Sequence, residues 1–260
     1  MKNTNLKNER IGLEKINNQG CLMKIIDYEN KRNIMVEFYE PKRTTVQTQY
    51  ANFDRGTIKN PYYPDVFGVG CLGQKYPATI NKKATKEYSA WKRMIERCYD
   101  SNCKKHHPTY KEVSCCAEWL CYENFYEWII KQDNYKEWLE NERWCLDKDI
   151  LVKGNKIYSP ETCCLVPTYI NVLLIHPNKE SSSLPIGVYY KKDHDKFGVS
   201  CSSKEEKVNE YFNNPIDAFY AYKRTKEKYI QKMAKHSYSK GEITKKCYEA
   251  LMSYQVEITD

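Results

Sequence analysis

The groups whose types and spacing suit chemistry are concentrated in one stretch, LDKDILVKGNKIYSPETCCLVPTYIN, from Leu146 to Asn171. Asp147 and Asp149 stand two residues apart. On a strand, that spacing puts both carboxylates on one face, where Asp147 and Asp149 would be ligands to a divalent cation. Such a cation stabilises the charge that develops on a phosphate during hydrolysis. Lys148 lies between them. It is a poor base for activating water, because an ammonium with a pKa near 10.4 keeps its proton at neutral pH. The plainer alternative is a solvated pair of acids with a lysine between them.

Other groups could complete such a centre. The histidines are His106, His107, His176, His194 and His236, and the run KKHHPTY offers a base that would have to fold toward the acids. Cys98, Cys103, Cys115, Cys116, Cys121, Cys145, Cys163 and Cys164 fall in the same part of the chain. Their spacings, Cys98-x4-Cys103 and Cys116-x4-Cys121, are loose for structural zinc. No structural zinc is expected, and the cysteines read as buried free thiols.

Several elements must position these residues. CLMKIIDY (21–28), NIMVEFY (33–39) and TTVQTQY (44–50) are short β-branched and aromatic runs separated by polar turn sequences, which predicts a small β-barrel of the SH3 kind over residues 1–72. NPYYP (60–64) with Gly68, Gly70 and Gly73 reads as a linker out of it. In KEYSAWKRMIERCY, Tyr88, Trp91, Ile95 and Cys98 share one helical face, and Phe125, Trp128 and Ile129 repeat the pattern. LPIGVYY, KFGVSC and KVNEYF over 184–212 predict a three-stranded antiparallel sheet. A helix over 215–235 follows, with Pro215 at its first position, where a missing N–H costs nothing. A last helix is expected near 242–252 from Ile243, Cys247 and Leu251. The class is α+β, in three domains: 1–72, 73–180 and 184–260.

Charge points toward a polyanion. The net charge of +8 is divided as +6 over residues 1–83, zero over 86–160 and +4 over 184–236. Basic flanks in a chain with 23 tyrosines suit a nucleic acid. No apolar run approaches the ~20 residues of a membrane span, and the N-terminus lacks the apolar core of a signal peptide. A cytoplasmic location and no membrane partner are expected.

With those residues on the page, two resemblances can be named. Residues 143–171, with LDKDI, GN and YSPETC, resemble the HNH endonuclease motif, and the surrounding WKRMIERCY…VP…IN is similar to phage-encoded homing-endonuclease-like proteins. IGVYYKKDHDKFGVSC…KVNEYFNNPIDAFYAYK resembles the Apetala-type (ethylene-response-factor-like) DNA-binding module. The first resemblance implies a central ββα-metal domain whose centre comprises Asp147, Lys148 and Asn171, with Ser159 and Pro160 opening a short helix. The general-base His of that motif is Lys148 here, and a helix Asn that would bind metal is Thr162. The zinc-binding cysteine pair often found after the helix reads Pro167 and Ile170. An active centre would use Mg²⁺. The second resemblance implies a sheet that lies in the DNA major groove, with Tyr190, Lys191, Lys192, Lys196, Lys204 and Lys207 on or beside the free face. No Arg stands on that sheet. Lys meets phosphates as a point charge, whereas Arg reads guanine with two hydrogen bonds.

Together these readings lead to a phage-type, cytoplasmic DNA-binding protein of an infected bacterial host, with double-stranded DNA as partner and a catalytically degenerate HNH-like scaffold. Two alternatives are an active metal-dependent DNA endonuclease of the homing type and an anti-defence protein that captures a host protein.

Overall fold

The computed structural model describes residues 7–174, 184–201, 210–258 and 260. The chain is mixed α+β with several small sheets and forms two compact units, Met1–Glu127 and Trp128–Asp260. No helix among the described residues is long and apolar enough to cross a membrane.

The first unit opens with a four-stranded antiparallel meander: β1 (Glu14–Ile16), β2 (Leu22–Asn30), β3 (Asn33–Phe38) and β4 (Thr44–Thr48). Met23 and Ile25 alternate into the core. A register shift between Ile25 and Asp27 then returns Tyr28 to the same face, as a bulge does when it adds one residue to a strand. Val36, Phe38 and Ile34 complete that core. The expected barrel is not closed among the described residues. β1 is three exposed residues long, and β4 leads into a helix, α1 (Tyr50–Asp54), whose Phe53 joins the core.

The segment expected as a linker is packed. Asn60 is buried and donates to the Glu40 carbonyl at 2.6 Å. A Cβ on Gly70 would touch the Trp91 ring, and one on Gly73 would overlap Glu123. A short hairpin, β5 (Thr79–Ile80) and β6 (Lys83–Ala84), precedes α2 (Lys86–Tyr99). Thr85 caps this helix by accepting from the Tyr88 N–H at 3.1 Å. The sequence periodicity holds: Trp91, Met94, Ile95 and Cys98 are buried, and Tyr88 is half-buried. α3 (Ser101–His106) and α4 (Tyr122–Ile129) follow.

The second unit contains α5 (Tyr135–Glu140), β7 (Trp144–Asp147), β8 (Cys164–Pro167) and α6 (Thr168–Val172). β7 and β8 are antiparallel, with Cys164 opposite Asp147 and Pro167 opposite Trp144. The helix expected to open at Ser159–Pro160 is absent. Residues 160–162 form a turn, and Thr162 Oγ1 satisfies both the Ile157 carbonyl (2.7 Å) and the Ser159 N–H (3.2 Å). The chain then extends as β8, and the helix begins only after Pro167. A proline cannot donate to a preceding turn and is tolerated at such a boundary.

The C-terminal part comprises β9 (Val188–Lys191), β10 (Lys196–Val199), α7 (Pro215–Ser239) and α8 (Lys245–Met252). β9 and β10 form a hairpin, and Phe212 bridges to Phe197 by two backbone hydrogen bonds of 2.8 and 2.9 Å. The first half of the expected third strand KVNEYF, residues 207–209, lies outside the described residues, as do 202–206 and the 175–183 connection between the β7–β8 part and the hairpin. Asn214 caps α7 from the Ile216 N–H, with Pro215 first in the helix. One core joins all these elements: Cys164, Val166 and Ile170 pack in the same cluster as Val188, Val199, Phe219, Ile230 and Leu251.

Gly187 sets how closely α7 approaches the hairpin. Its φ is +72°, and an added Cβ would meet the Tyr222 ring at 2.3 Å. Gly187→Ala is therefore expected to destabilise the protein by roughly 2 kcal/mol or more, through strain and overpacking together. Urea unfolding checks this. Gly187→Ala combined with Tyr222→Ala should lose less than the two single changes added, because the shared clash is then gone.

Candidate functional site

Asp147 ends β7 and is 7% exposed. Its Oδ1 accepts from the backbone N–H groups of Asp149 and Ile150, each at 2.8 Å. The carboxylate thereby closes the turn that follows the strand. Since the strand stops there, the alternation that would have set Asp149 on the same face does not continue. Asp149 lies in a bend and is half-exposed. Burial pushes the Asp147 carboxyl above its ordinary value of 3.8, and the two backbone N–H groups pull the other way.

Lys148 is buried at 8% exposure. Its ammonium donates to Asp149 Oδ1 at 2.6 Å and to the Asn155 carbonyl at 3.0 Å, and it lies 5.9 Å from the centre of the Tyr158 ring. Asn155 braces the loop: Nδ2 donates to the carbonyls of Lys148 (2.8 Å) and Ile157 (2.7 Å), and Oδ1 accepts from the Ile157 N–H at 3.1 Å. Two lysines tie this region to the end of the chain. Lys246 donates to the Glu161 carbonyl at 2.9 Å, and Lys153 donates to the Gln255 carbonyl and Asp260, both at 2.7 Å.

The arrangement is a closed polar network. The two acids serve different partners, Asp147 the backbone and Asp149 the ammonium. These residues do not fit a Mg²⁺ site, because the cationic position beside Asp149 is filled by Lys148 itself. Among the described residues, no group of three or more His, Cys, Asp or Glu side chains is gathered to hold a metal. Asn171 lies in α6, half-buried, and α6 packs on β7 and β8. Thr162, expected on a helix, is the brace of the 160–162 turn. His106 and His107 are exposed and belong to the first unit, and His176 lies outside the described residues.

The hairpin presents a second, different surface. Register pairs share a face, so Val188 and Val199 turn toward α7 together, and Tyr190 and Phe197 lie on that same side with ring centres 5.4 Å apart. Tyr189, Lys191 and Lys196 take the opposite, outward side. Tyr211, next to the Phe197–Phe212 bridge, falls with them. The Lys191 ammonium donates to the Tyr211 hydroxyl at 2.9 Å, and that bond holds the hydroxyl below its ordinary value. The His194 ring stacks on Tyr211 at 5.0 Å. Gly198 makes room on this side, since a Cβ there would strike the Tyr189 ring. Lys192 is exposed in the turn beyond β9. Lys204 and Lys207 lie outside the described residues.

Thus Tyr190, expected on or beside the free face, shares the side of Val188 and Phe197 in the ladder yet is exposed, and its hydroxyl donates to Asp195. Tyr189, Tyr211 and His194 are the outward groups that sequence reasoning missed. The alternation from Val188 would have identified Tyr189, whereas His194 and Tyr211 meet only through folding. Compared with models of protein families, with curated proteins and with solved structures, the chain finds no match.

Asp147 yields a prediction with two parts. Asp147→Ala leaves the buried Ile150 N–H and the part-buried Asp149 N–H without their acceptor and is expected to cost about 2–3 kcal/mol. Asp147→Asn keeps an accepting oxygen and should stay within about 1 kcal/mol of the unmodified protein at pH 7. The sign of the pH effect follows from linkage. A carboxyl whose folded value is raised binds its proton more tightly in the folded chain, so its contribution is full below the unfolded value near 3.8 and is lost as pH rises through the folded value. Measured by urea unfolding at a series of pH values, the unmodified protein should lose stability relative to Asp147→Asn as pH rises from about 4. A difference that does not change with pH counts against this account.

Proposed function

We propose that this protein binds double-stranded DNA through the outward face of the β9–β10 hairpin, and that its HNH-like centre is a structural element without nuclease activity. The reading is that of a phage-type DNA-binding protein acting in the cytoplasm of an infected bacterial host. The observation that carries it is the composition of that outward face, where Lys191 and Lys196 stand among Tyr189, Tyr211 and His194 on a surface backed by α7. Ammonium groups meet phosphates, and the rings add apolar contact to sugars or base edges. Without an arginine on this sheet, affinity rests on phosphate contacts, with weak discrimination between sequences.

The loss of catalysis rests on Lys148. A positioned general base contributes roughly 10²–10⁴-fold in rate, and an ammonium held by Asp149 and the Asn155 carbonyl supplies no base. Its charge also opposes a metal. Two unit charges 4 Å apart repel by about 1 kcal/mol in water and about 4 kcal/mol near a protein surface, and a dication doubles both.

Gel shifts with duplex DNA test the reading. Affinity should fall steeply between low and physiological salt as counterions are released. Lys191→Ala and Lys196→Ala should each weaken binding uniformly across sequences and reduce the slope of log affinity against log salt by about 0.9. A flat salt dependence, or unchanged slopes in both variants, overturns the proposed face. Plasmid incubated with Mg²⁺ should remain uncut. Robust cutting that is lost in Asp147→Asn would establish the endonuclease instead.

A further inference from the structure

Cys71 and Cys121 are set opposite one another in the first unit by a parallel backbone bridge. Two hydrogen bonds bracket the pair: Cys71 N–H to the Leu120 carbonyl at 2.9 Å, and Tyr122 N–H to the Cys71 carbonyl at 2.8 Å. Residues opposed across neighbouring extended strands lie about 5 Å apart, inside the Cα window of roughly 4.4–6.8 Å that a disulfide needs. Both thiols are free and half-buried, so a small reagent can reach them.

The two sulfurs are not equivalent. Cys121 immediately precedes α4. Hydrogen bonding to the Cys71 thiol, and secondarily to the backbone of Glu123 and Asn124 in the first turn of the helix, holds the Cys121 pKa below the ordinary value of 9.0, against burial and the Glu123 carboxylate. Cys71 is shifted upward by its hydrogen bond to Cys121 and by burial. Cys21, Cys103, Cys163 and Cys164 are also shifted upward, chiefly by burial or by a thiol partner. A thiolate, not a thiol, is the nucleophile in disulfide exchange.

We propose that Cys71 and Cys121 form a reversible dithiol–disulfide site, with Cys121 as the attacking sulfur and Cys71 as the resolving one. The oxidant is a low-molecular-weight disulfide, RSSR. The Cys121 thiolate attacks one of its sulfurs, forms a mixed disulfide and displaces RS⁻, which takes up the proton Cys121 gave to water. The Cys71 sulfur then attacks Cys121, the protein disulfide forms, and the second RS⁻ leaves with the Cys71 proton. Two protein thiols are oxidised, and RSSR is reduced to two RSH. The bond would fasten the 60–74 segment to the start of α4, where Glu123 already accepts from the Gln74 N–H at 2.9 Å and the Tyr62 hydroxyl at 3.1 Å.

The test is peptide mapping without reduction of the intact chain after equilibration with oxidised and reduced glutathione at neutral pH. The expected product is a Cys71–Cys121 linked peptide, formed ahead of any other linkage and removed by excess reduced glutathione. The linked form should melt on the order of 10 °C higher, as expected for closing a loop of this length. Cys71→Ser should retain glutathione on Cys121. Cys121→Ser should yield no linked peptide and leave Cys71 unmodified. A folded, unmodified chain that acquires other linkages while Cys71 and Cys121 stay reduced overturns the proposal. So does a folded Cys71→Ser chain without the adduct. If a variant fails to fold, the map of the unmodified chain decides alone.

Discussion

The second unit depends on a buried carboxylate that accepts two backbone N–H groups. Asp147 stands where β7 must stop and the chain must turn out, run through residues 148–163 and return as β8 with Cys164 opposite Asp147. A buried charge without partners costs several kcal/mol, so the position tolerates an acid only because Asp149 and Ile150 turn their N–H groups onto it. That turn places Lys148 between Asp149 and the Asn155 carbonyl. Asn155 in turn holds the Lys148 and Ile157 carbonyls. Each polar group in the chain of contacts is satisfied by the next, which is the condition under which a buried network fixes one arrangement.

Saturation of this kind separates the acid–lysine centre from the hairpin face. A centre that works on a substrate keeps lone pairs, protons or a cation available to it. Around Asp147, its Oδ1 already has two donors and the Lys148 ammonium already has two acceptors. On the outward side of β9–β10 the balance is reversed: Lys196 and Lys192 are exposed, and among the described residues the Lys191 ammonium donates to a phenol. A phosphate is a stronger acceptor for Lys191 than the Tyr211 hydroxyl, because a charge-assisted hydrogen bond is about twice as strong as a neutral one.

Much of the local structure was legible in the sequence, because periodicity and capping act over a few residues. α2 buries the face read from Trp91, Ile95 and Cys98, with Met94 added, and α7 starts at Pro215 under an Asn214 cap. β2, β3 and β4 fall within a residue or two of their β-branched runs. What was not legible depends on partners far along the chain. Whether a meander closes is decided by its edges, and nothing local in Glu14–Ile16 announces that β1 would be too short and exposed to close one. Ser159–Pro160 has the composition of a helix start, yet Thr162 closes a turn instead and the apolar run Cys164–Pro167 is taken up by pairing with β7. The packing of Gly70 and Gly73 against Trp91 and Glu123 was likewise hidden, because glycine reads as a linker unless its neighbours in space are known.

The site itself divides along the same line. Lys148 stood out in the sequence as a residue unsuited to accept a proton, and its chemistry needs no structure to state. That Asp147 and Asp149 would serve different partners could not be read, since the two-residue rule holds only while a strand continues and β7 ends at Asp147. For the hairpin, alternation alone separates Tyr189 from Tyr190 once one inward residue is known, and Val188 is that residue: its register partner Val199 faces α7 with it, which fixes the side of every other residue in the ladder. The contacts of Lys191 and His194 with Tyr211 required the Phe197–Phe212 bridge, which links positions 15 residues apart. A single inward valine and a single bridge therefore determine which aromatic rings and ammonium groups share the outward face, and with them the chemistry that face can offer a polyanion.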